Sequence, residues 1–464
     1  MHNDDKSFLR RVLHGVGGQS YLRVIQVLYT IGLVPTLIGA WGVDGYGTWL
    51  VLTALAVYMS MSSSGLSSAS AAEMMQAVGA DDYARAGLAF RQSVNLLSIL
   101  MTAIILPLLL LAFVLPLVRL LNLVGISDVQ AFLVLLFMAI QVVTSTIRLL
   151  AGSAIAASGR YGLSESISAT TKLAELCIIV FIVTQMQAGV VPAAMVVAGA
   201  SCADLLLNLL VSRGRVPWAR FDFCHLDIAW ARNFLRPTMG NFILSAAVSA
   251  VTVQAPRLVL SALLGPAAVG MFGVYANAMR VMEQFTGLIS STLIFEIARE
   301  LGRERLERVQ SLILTATQFV LACSLVLSAA GLLTGPWVFA VWTQGKIAFG
   351  YALMAVFLLA GTVSQIGKVA QFYLVGSNRI LGPSILMLLG ACLGVAIGGA
   401  LAGPLGVMGM AIGTLTAEAA IMAAGMSATA GAVGMSRVQL AVRSLRLDMG
   451  LMLVWRQLRC QLTG

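Results

Sequence analysis

The chain has 464 residues, of which 59% are hydrophobic and only 10% are charged, and its formal net charge is +10. Soluble domains carry about 25% charged residues, so this composition excludes a water-soluble globular protein. The basic residues lie in short segments between apolar runs. That distribution is typical of membrane topology, with anionic lipid as a neighbour, and it argues against nucleic acid as a partner.

Apolar runs of about 20 residues, the length needed to cross ~30 Å of hydrocarbon, recur along the whole chain. Runs this long without polar alternation predict helices and not barrel strands. The predicted fold class is therefore an all-α integral membrane protein with about twelve transmembrane helices. The predicted spans are 16–39, 46–70, 88–114, 130–156, 164–186, 190–211, 237–264, 268–295, 309–334, 349–375, 382–402 and 406–428.

The basic residues between these runs predict the orientation of the chain. With the N-terminus inside, 21 of the 29 Lys and Arg residues fall in cytoplasmic segments, and two, Arg119 and Lys346, fall in the opposite loops. Because Lys and Arg accumulate on the cytoplasmic side of membrane proteins, both termini are expected in the cytoplasm.

The two halves of the chain resemble each other at a slowly drifting offset. Arg148 matches Lys368 at an offset of 220 residues, and Asp204 matches Glu418 at an offset of 214. The drift predicts a duplicated six-helix unit whose copies are related by a pseudo-twofold axis along the membrane normal, as in many transporters. The predicted parts are an N-terminal lobe (1–212), a cytoplasmic linker (213–236), a C-terminal lobe (237–428) and a basic amphipathic tail (429–464).

Besides Arg91, which is counted with the cytoplasmic segments, eleven charged residues fall within the predicted spans, where each would cost at least about 2.5–3.5 kcal/mol on a lipid-facing helix. They should therefore face a polar cavity or one another. The bases are Arg23, Arg148, Lys172, Arg257, Arg280 and Lys368, and the acids are Glu165, Glu175, Asp204, Glu283 and Glu418.

Local pairing or snorkelling explains some of these charges. Lys172 and Glu175, like Arg280 and Glu283, are three residues apart on one helical face and can neutralise each other. Arg23 lies near a predicted cytoplasmic end, from which a long side chain reaches the interface.

Three bases have no acid within four residues on the same helix: Arg148, Lys368 and Arg257. They are predicted to be unpaired cations in a central cavity, an arrangement suited to phosphate or pyrophosphate. Arg280, Arg23 and Lys172 are further candidates for this role. The candidates for ion coupling are Asp204, Glu418, Glu175 and Glu283, although a helix-packing hydrogen bond is the competing explanation for Asp204 and Glu418.

Motifs of other function classes are absent from the sequence. It has no P-loop of the form GxxxxGK[ST], no HExxH and no evident Ser/His/Asp set. The sequence therefore predicts a protein that is not an enzyme and that needs no cofactor or metal.

Several weak motifs resemble the polysaccharide flippase family, the Wzx-type branch of the multidrug/oligosaccharidyl-lipid/polysaccharide transporter superfamily. They are Gly42-Val43-Asp44-Gly45-Tyr46-Gly47-Thr48-Trp49, Gly65-Leu66, Leu264-Gly265-Pro266-Ala267-Ala268-Val269-Gly270-Met271-Phe272, the segment 296–308 and the Gly-rich run 403–414. The resemblance implies two six-helix lobes arranged in a V in a bacterial inner membrane. It also implies transport of an undecaprenyl-pyrophosphate-linked oligosaccharide to the outer leaflet, with cavity cations holding the pyrophosphate.

The resemblance further implies membrane lipids as neighbours and polysaccharide polymerase or export machinery as further partners, in exopolysaccharide, capsule or O-antigen synthesis.

Two other functions stay open. A drug or small-metabolite exporter of the same fold should rely on acids to bind cationic substrates. An integral-membrane polymerase or ligase usually has a large periplasmic loop, whereas the external loops predicted here are short.

Overall fold

The computed structural model describes residues 2–158, 161–219, 227–232, 234, 243–302, 305–377, 380–436 and 439, and over these residues it contains helices and no strands. The helices of ten or more residues are α1 (His2–Gly79), α2 (Tyr83–Val114), α3 (Asp128–Ala157), α4 (Tyr161–Gln185), α5 (Val190–Arg215), α6 (Ala255–Leu264), α7 (Pro266–Gly302), α8 (Leu306–Trp342), α9 (Tyr351–Gly376), α10 (Leu381–Leu405) and α11 (Val407–Ala432), and a single helical turn, Leu117–Leu120, follows α2. Two π-helical segments, Ile243–Val248 and Ala250–Gln254, precede α6.

The first helix is broken at Gly42. A straight helix of 78 residues, the number in α1, would be about 117 Å long, far more than the ~30 Å of a hydrocarbon core. Gly42 has φ 75° and ψ −177°, a left-handed conformation that glycine adopts without a Cβ penalty. The predicted spans 16–39 and 46–70 are therefore two halves of one broken helix and not two helices joined by a loop.

The predicted fold class is confirmed. Within the described part of the chain, ten helices are long and apolar enough to cross a membrane. The break in α1 divides one of them into two predicted spans, and the 37-residue α7 corresponds to the predicted span 268–295. Some predicted spans are shorter than the helices that contain them. For example, α8 ends at Trp342, whereas the predicted span ends at residue 334.

The chain forms two compact units. The first is Met1–Ala246 with Gly265–Gly270 and Trp342–Lys346, and the second is Ala247–Leu264, Met271–Val341 and Ile347–Gly464. In the first unit α1 packs against α3 and α4, and α3 packs against α5. In the second unit α11 packs against α9 and α10. The predicted lobe bounds and pseudo-twofold axis stay predictions.

Small residues bring α10 and α11 close together. Gly390, Gly394 and Gly398 recur every four residues along one face of α10, and a Cβ on Gly394 would lie 2.5 Å from the Cβ of Ala417. On α11, a Cβ on Gly413 would overlap the Cα of Gly398. Spacing of this kind lets two membrane helices approach through their backbones and gain dispersion contacts.

The described part of the predicted linker packs onto the first unit. Val216, Ala219 and Ala231 are buried in an apolar cluster with residues of α1, α2 and α3. The backbone N–H of Asp227 also donates a hydrogen bond of 3.1 Å to Oε1 of Gln92 on α2. Residues 220–226, most of 233–242, 437–438 and 440–464, including much of the predicted tail, lie outside the described residues.

Candidate functional site: paired charges within the spans

A polar network joins α3, α4 and α5 inside the first unit. Nε of Arg148 lies 3.6 Å from Oδ2 of Asp204, and both side chains are only 17% exposed. Nη1 of Arg148 donates to Oγ of Ser168 at 2.9 Å, and Ser168 donates to Oδ1 of Asp204 at 3.1 Å. Nδ2 of Asn208 donates to the same Oδ1 at 2.9 Å, and Ser164 donates to Oδ1 of Asn208 at 2.8 Å. The Asp204 carboxylate thus has one cation and two neutral donors.

Helical spacing brings these residues together. Each of the three helices contributes two positions four residues apart, which lie one above the other on a single face. The positions are Arg148 and Gly152 on α3, Ser164 and Ser168 on α4, and Asp204 and Asn208 on α5. Glycine at position 152 makes room for the network, since a Cβ there would lie 2.6 Å from Oγ of Ser164.

The second unit has its own charged cluster. Nζ of Lys368 on α9 lies 2.9 Å from Oε1 of Glu283 on α7, and both side chains are about one third exposed. Glu418 on α11 is buried at 7% exposure, and its carboxylate accepts a hydrogen bond from Ser364. Lys368 and Glu283 are both close enough to Glu418 to act on it electrostatically.

The two clusters contain the residues that the sequence matches between the two halves, Arg148 with Lys368 and Asp204 with Glu418. In each unit a base pairs with an acid on another helix, Arg148 with Asp204 and Lys368 with Glu283, and Lys368 also acts electrostatically on Glu418. The residue four positions before each base also reaches the helix that carries the acid. Thr144 hydrogen-bonds with Ser201 of α5 at 2.8 Å, and Ser364 hydrogen-bonds with Glu418 of α11.

The prediction that Arg148 and Lys368 are unpaired cations is wrong. It considered acids on the same helix only, whereas their counter-charges come from other helices, Asp204 and Glu283. A charge in a low-dielectric setting needs a partner, and tertiary packing supplies one from a distant part of the sequence.

The local pairs predicted from the sequence have mixed outcomes. Lys172 and Glu175 are paired at 2.7 Å on α4, as predicted. Tyr29 of α1 adds a hydrogen bond of 2.7 Å to the same oxygen of Glu175, and Nζ of Lys172 lies 4.1 Å from the centroid of the Tyr29 ring. Glu283 is predicted to pair with Arg280, but in the structure its ion-pair partner is Lys368.

Two of the remaining predicted cations have an amide oxygen within hydrogen-bond distance. Nη1 of Arg280 donates to Oδ1 of Asn277 at 3.3 Å within α7. Arg257 is 6% exposed on α6, and its Nη1 donates to Oε1 of Gln254 at 3.0 Å. Arg23 is partly buried on α1, six residues before Tyr29.

Sequence reasoning missed Ser164, Ser168, Asn208 and Ser364. Their signal is the four-residue spacing to a charged or polar neighbour on the same helix, which places both side chains on one face. The described residues contain no group of three or more His, Cys, Asp and Glu side chains that could hold a metal. In chemical terms, a base of such a cluster can bind an anion, and an acid can bind a cation.

The long apolar helices and the charge pairs within them are features of a helical membrane protein, and solved structures of such proteins resemble this chain. The chain is similar to a multidrug resistance MATE family transporter of the MOP superfamily in its inward-facing conformation, with a TM-score of 0.71 and 14% identity, over 90% of this chain and 94% of that one. It is also similar to the lipid II flippase MurJ in an inward closed conformation, with a TM-score of 0.65 and 13% identity, over 94% of this chain and 92% of that one.

A third similar structure is the eukaryotic MATE transporter AtDTX14, with a TM-score of 0.66 and 14% identity, over 95% of this chain and 99% of that one. No protein-family model and no curated protein sequence matches the chain. At these identities the likeness establishes the fold, which is the MATE and MurJ transporter fold, in a multi-pass membrane protein.

Proposed function

We propose that the chain is a flippase that moves a polyprenyl-pyrophosphate-linked oligosaccharide from the cytoplasmic to the outer leaflet by alternating access. The observation that carries the proposal is that each unit holds a base beside an acid within its spans, Arg148 with Asp204 and Lys368 with Glu283. The shared fold with a lipid II flippase supports a lipid-linked substrate. The proposed location is a bacterial inner membrane with both termini in the cytoplasm.

Arg148 has donors to spare for phosphate oxygens. A guanidinium carries five N–H groups, and within the described part of the chain its contacts are one hydrogen bond to Ser168 and one long ion pair to Asp204. Arginine binds phosphate oxygens bidentately, and lysine adds a compact point charge. An arriving pyrophosphate would therefore compete with the acid in each pair.

Exchange of counter-ions gives the acids a role in coupling. When phosphate oxygens take over Arg148 and Lys368, the carboxylates of Asp204 and Glu283 lose their cations. A carboxylate within a span must then bind another cation or a proton. This exchange is why we propose Asp204, Glu283 and Glu418 for ion coupling, together with Glu175 next to Lys172.

A drug or small-metabolite exporter is the second candidate function. It is favoured by the carboxylates within the spans, because Asp204 and Glu418 are acids to which a cationic drug could bind. The shared fold with MATE multidrug transporters also fits this alternative. Polymerase, ligase and export-machinery partners have no comparable observation in their favour.

The test uses cells that lack the gene for this chain, complemented with wild type, with Arg148→Ala plus Lys368→Ala, or with the charge-preserving Arg148→Lys plus Lys368→Arg, at equal membrane expression. We expect the alanine variant to abolish surface polysaccharide and to accumulate lipid-linked precursor on the cytoplasmic face, while the charge-preserving variant retains part of the export. Normal polysaccharide in the deletion strain, with loss of drug efflux instead, would favour the exporter.

A further inference from the structure

One cavity of the first unit is not explained by the acid–base clusters. Its volume is about 780 Å³, which falls within the ~300–1,000 Å³ typical of small-molecule sites. Its polar lining comes from Thr36, Trp41, Thr184, Gln187 and Gln344, and apolar residues of α1 and α4 complete it. It lies near the break in α1, at the end of the unit that the positive-inside rule assigns to the outer side.

The lining has the chemistry of a sugar site. It combines an indole, two amides and two hydroxyls, and none of its lining residues is charged. Amides and hydroxyls both donate to and accept from sugar hydroxyls, and an aromatic face covers the apolar face of a sugar ring. A neutral lining is unsuited to pyrophosphate, which requires cations.

The backbone at both glutamines is in a costly conformation. Gln187 has φ 51° and Gln344 has φ 54°, in the left-handed region that residues other than glycine rarely adopt. Each such residue costs of order 1–3 kcal/mol and persists where the surrounding structure imposes it, most often at ligand sites. Gln187 and Gln344 both line this cavity, so each strained turn places a side-chain amide at the cavity wall.

Gln344 is held in position by the segment to which it belongs, Trp342–Lys346. Nε1 of Trp342 donates to the carbonyl oxygen of Ile31 at 3.1 Å, a carbonyl whose regular helical donor is missing because Pro35 has no N–H. Nζ of Lys346 donates to the carbonyls of Ile38 and Gly39, both at 2.8 Å, in the last turn before the break at Gly42. The segment is thus fixed along one face of α1.

The amide of Gln344 is oriented by these contacts. Its Nε2 donates to the carbonyl of Pro35 at 3.2 Å, and its amide packs over Gly39, where a Cβ would lie 2.9 Å from it. Its Oε1, like the whole amide of Gln187, has no hydrogen-bond partner among the described residues. Trp41 is fixed as well, since its Nε1 donates to the carbonyl of Ala188 at 2.8 Å.

We propose that this cavity binds neutral sugar residues of the transported glycan, with Trp41 as the stacking surface and Gln187 and Gln344 as hydrogen-bonding groups. The inference rests on the proposed flippase function and adds a glycan subsite that is separate from the charged clusters.

The test measures binding of two probes to purified full-length protein in lipid nanodiscs by native mass spectrometry. One probe is undecaprenyl pyrophosphate alone, and the other carries a neutral tetrasaccharide of glucose and galactose. The variant is Gln187→Gly, which removes the amide and also relieves the left-handed backbone strain. Asp81→Gly is the matched control, because Asp81 is exposed, has φ 57° and does not line the cavity.

We expect wild type to bind the glycosylated probe more tightly than the bare lipid. Gln187→Gly should lower that preference about tenfold, which corresponds to one or two neutral hydrogen bonds, and should leave binding of the bare lipid unchanged. Both glycine variants should unfold at the same or a higher temperature than wild type. An unchanged preference in Gln187→Gly, or no preference in wild type, would overturn the subsite. If wild type bound neither probe, the proposed function itself would be wrong and the subsite would fall with it.

Discussion

The ion pair between Arg148 and Asp204 allows a quantitative test by a double-mutant cycle with Arg148→Met and Asp204→Leu. Breaking a fully buried pair costs about 3–5 kcal/mol, and an exposed pair is worth ~0.2–1 kcal/mol. This pair is 17% exposed on both sides, and its N–O distance of 3.6 Å is long. We therefore expect a coupling energy of about 2 kcal/mol.

The two single variants should differ. Asp204→Leu leaves Arg148 within the membrane without its counter-charge and should lower the free energy of unfolding by about 2–3 kcal/mol. Arg148→Met leaves a carboxylate that still accepts hydrogen bonds from Ser168 and Asn208, so its loss should be smaller. The double variant, an apolar pair of similar volume, should recover most of the stability while its transport activity stays lost.

The assay is equilibrium unfolding of the purified protein in lipid–detergent micelles, followed by translocation measurements on the same preparations. The matched control cycle uses Thr144→Val and Ser201→Ala, a neutral hydrogen-bonded pair of 2.8 Å between the same two helices, α3 and α5. Its coupling should be about 1 kcal/mol or less. Effects of Arg148→Met and Asp204→Leu that add within ~0.5 kcal/mol would refute the pairing.

Two further predictions concern packing and hydrogen bonding. Gly413→Ala should lower the melting temperature clearly, because its Cβ would overlap Gly398. In the control Gly403→Ala the added Cβ meets nothing within 4 Å, so the melting temperature should stay unchanged. Equal melting temperatures of the two variants would contradict the close α10–α11 contact. Tyr29→Phe should cost about 1 kcal/mol of unfolding free energy by removing a donor to Glu175, and a loss that persists in Glu175→Gln would assign the effect to packing instead.

The sequence predicted the membrane class and the approximate spans well, because burial in hydrocarbon imposes long apolar helices on the chain directly. The break at Gly42 was harder to predict. A glycine between two apolar runs is compatible with a loop and with a kink, and only the conformation at φ 75° decides for a broken helix.

The acid–base clusters were only partly predictable. The sequence repeat places Arg148 and Lys368, and likewise Asp204 and Glu418, at equivalent positions, and all four lie in the two acid–base clusters. It did not predict their pairing, because Arg148 and Asp204 are 56 residues apart in the sequence and meet only through the packing of α3 and α5. Pairing within one helix, as for Lys172 and Glu175, follows from spacing alone.

The cavity beside Gln187 and Gln344 was beyond sequence reasoning. Neither glutamine lies in a predicted span, and a polar residue in a short loop is ordinary. Their significance comes from the left-handed backbone at both residues and from the docking of Trp342–Lys346 on α1, both of which are tertiary features.

The most direct test of the proposed function is translocation by the purified protein in proteoliposomes loaded with a fluorescent undecaprenyl-pyrophosphate-linked tetrasaccharide. We predict that wild type moves the lipid between leaflets faster than protein-free liposomes do, and that Arg148→Ala plus Lys368→Ala reduces the rate to that of the protein-free liposomes. A wild-type rate equal to that of protein-free liposomes, in a preparation that transports a cationic drug, would contradict the flippase and favour the exporter.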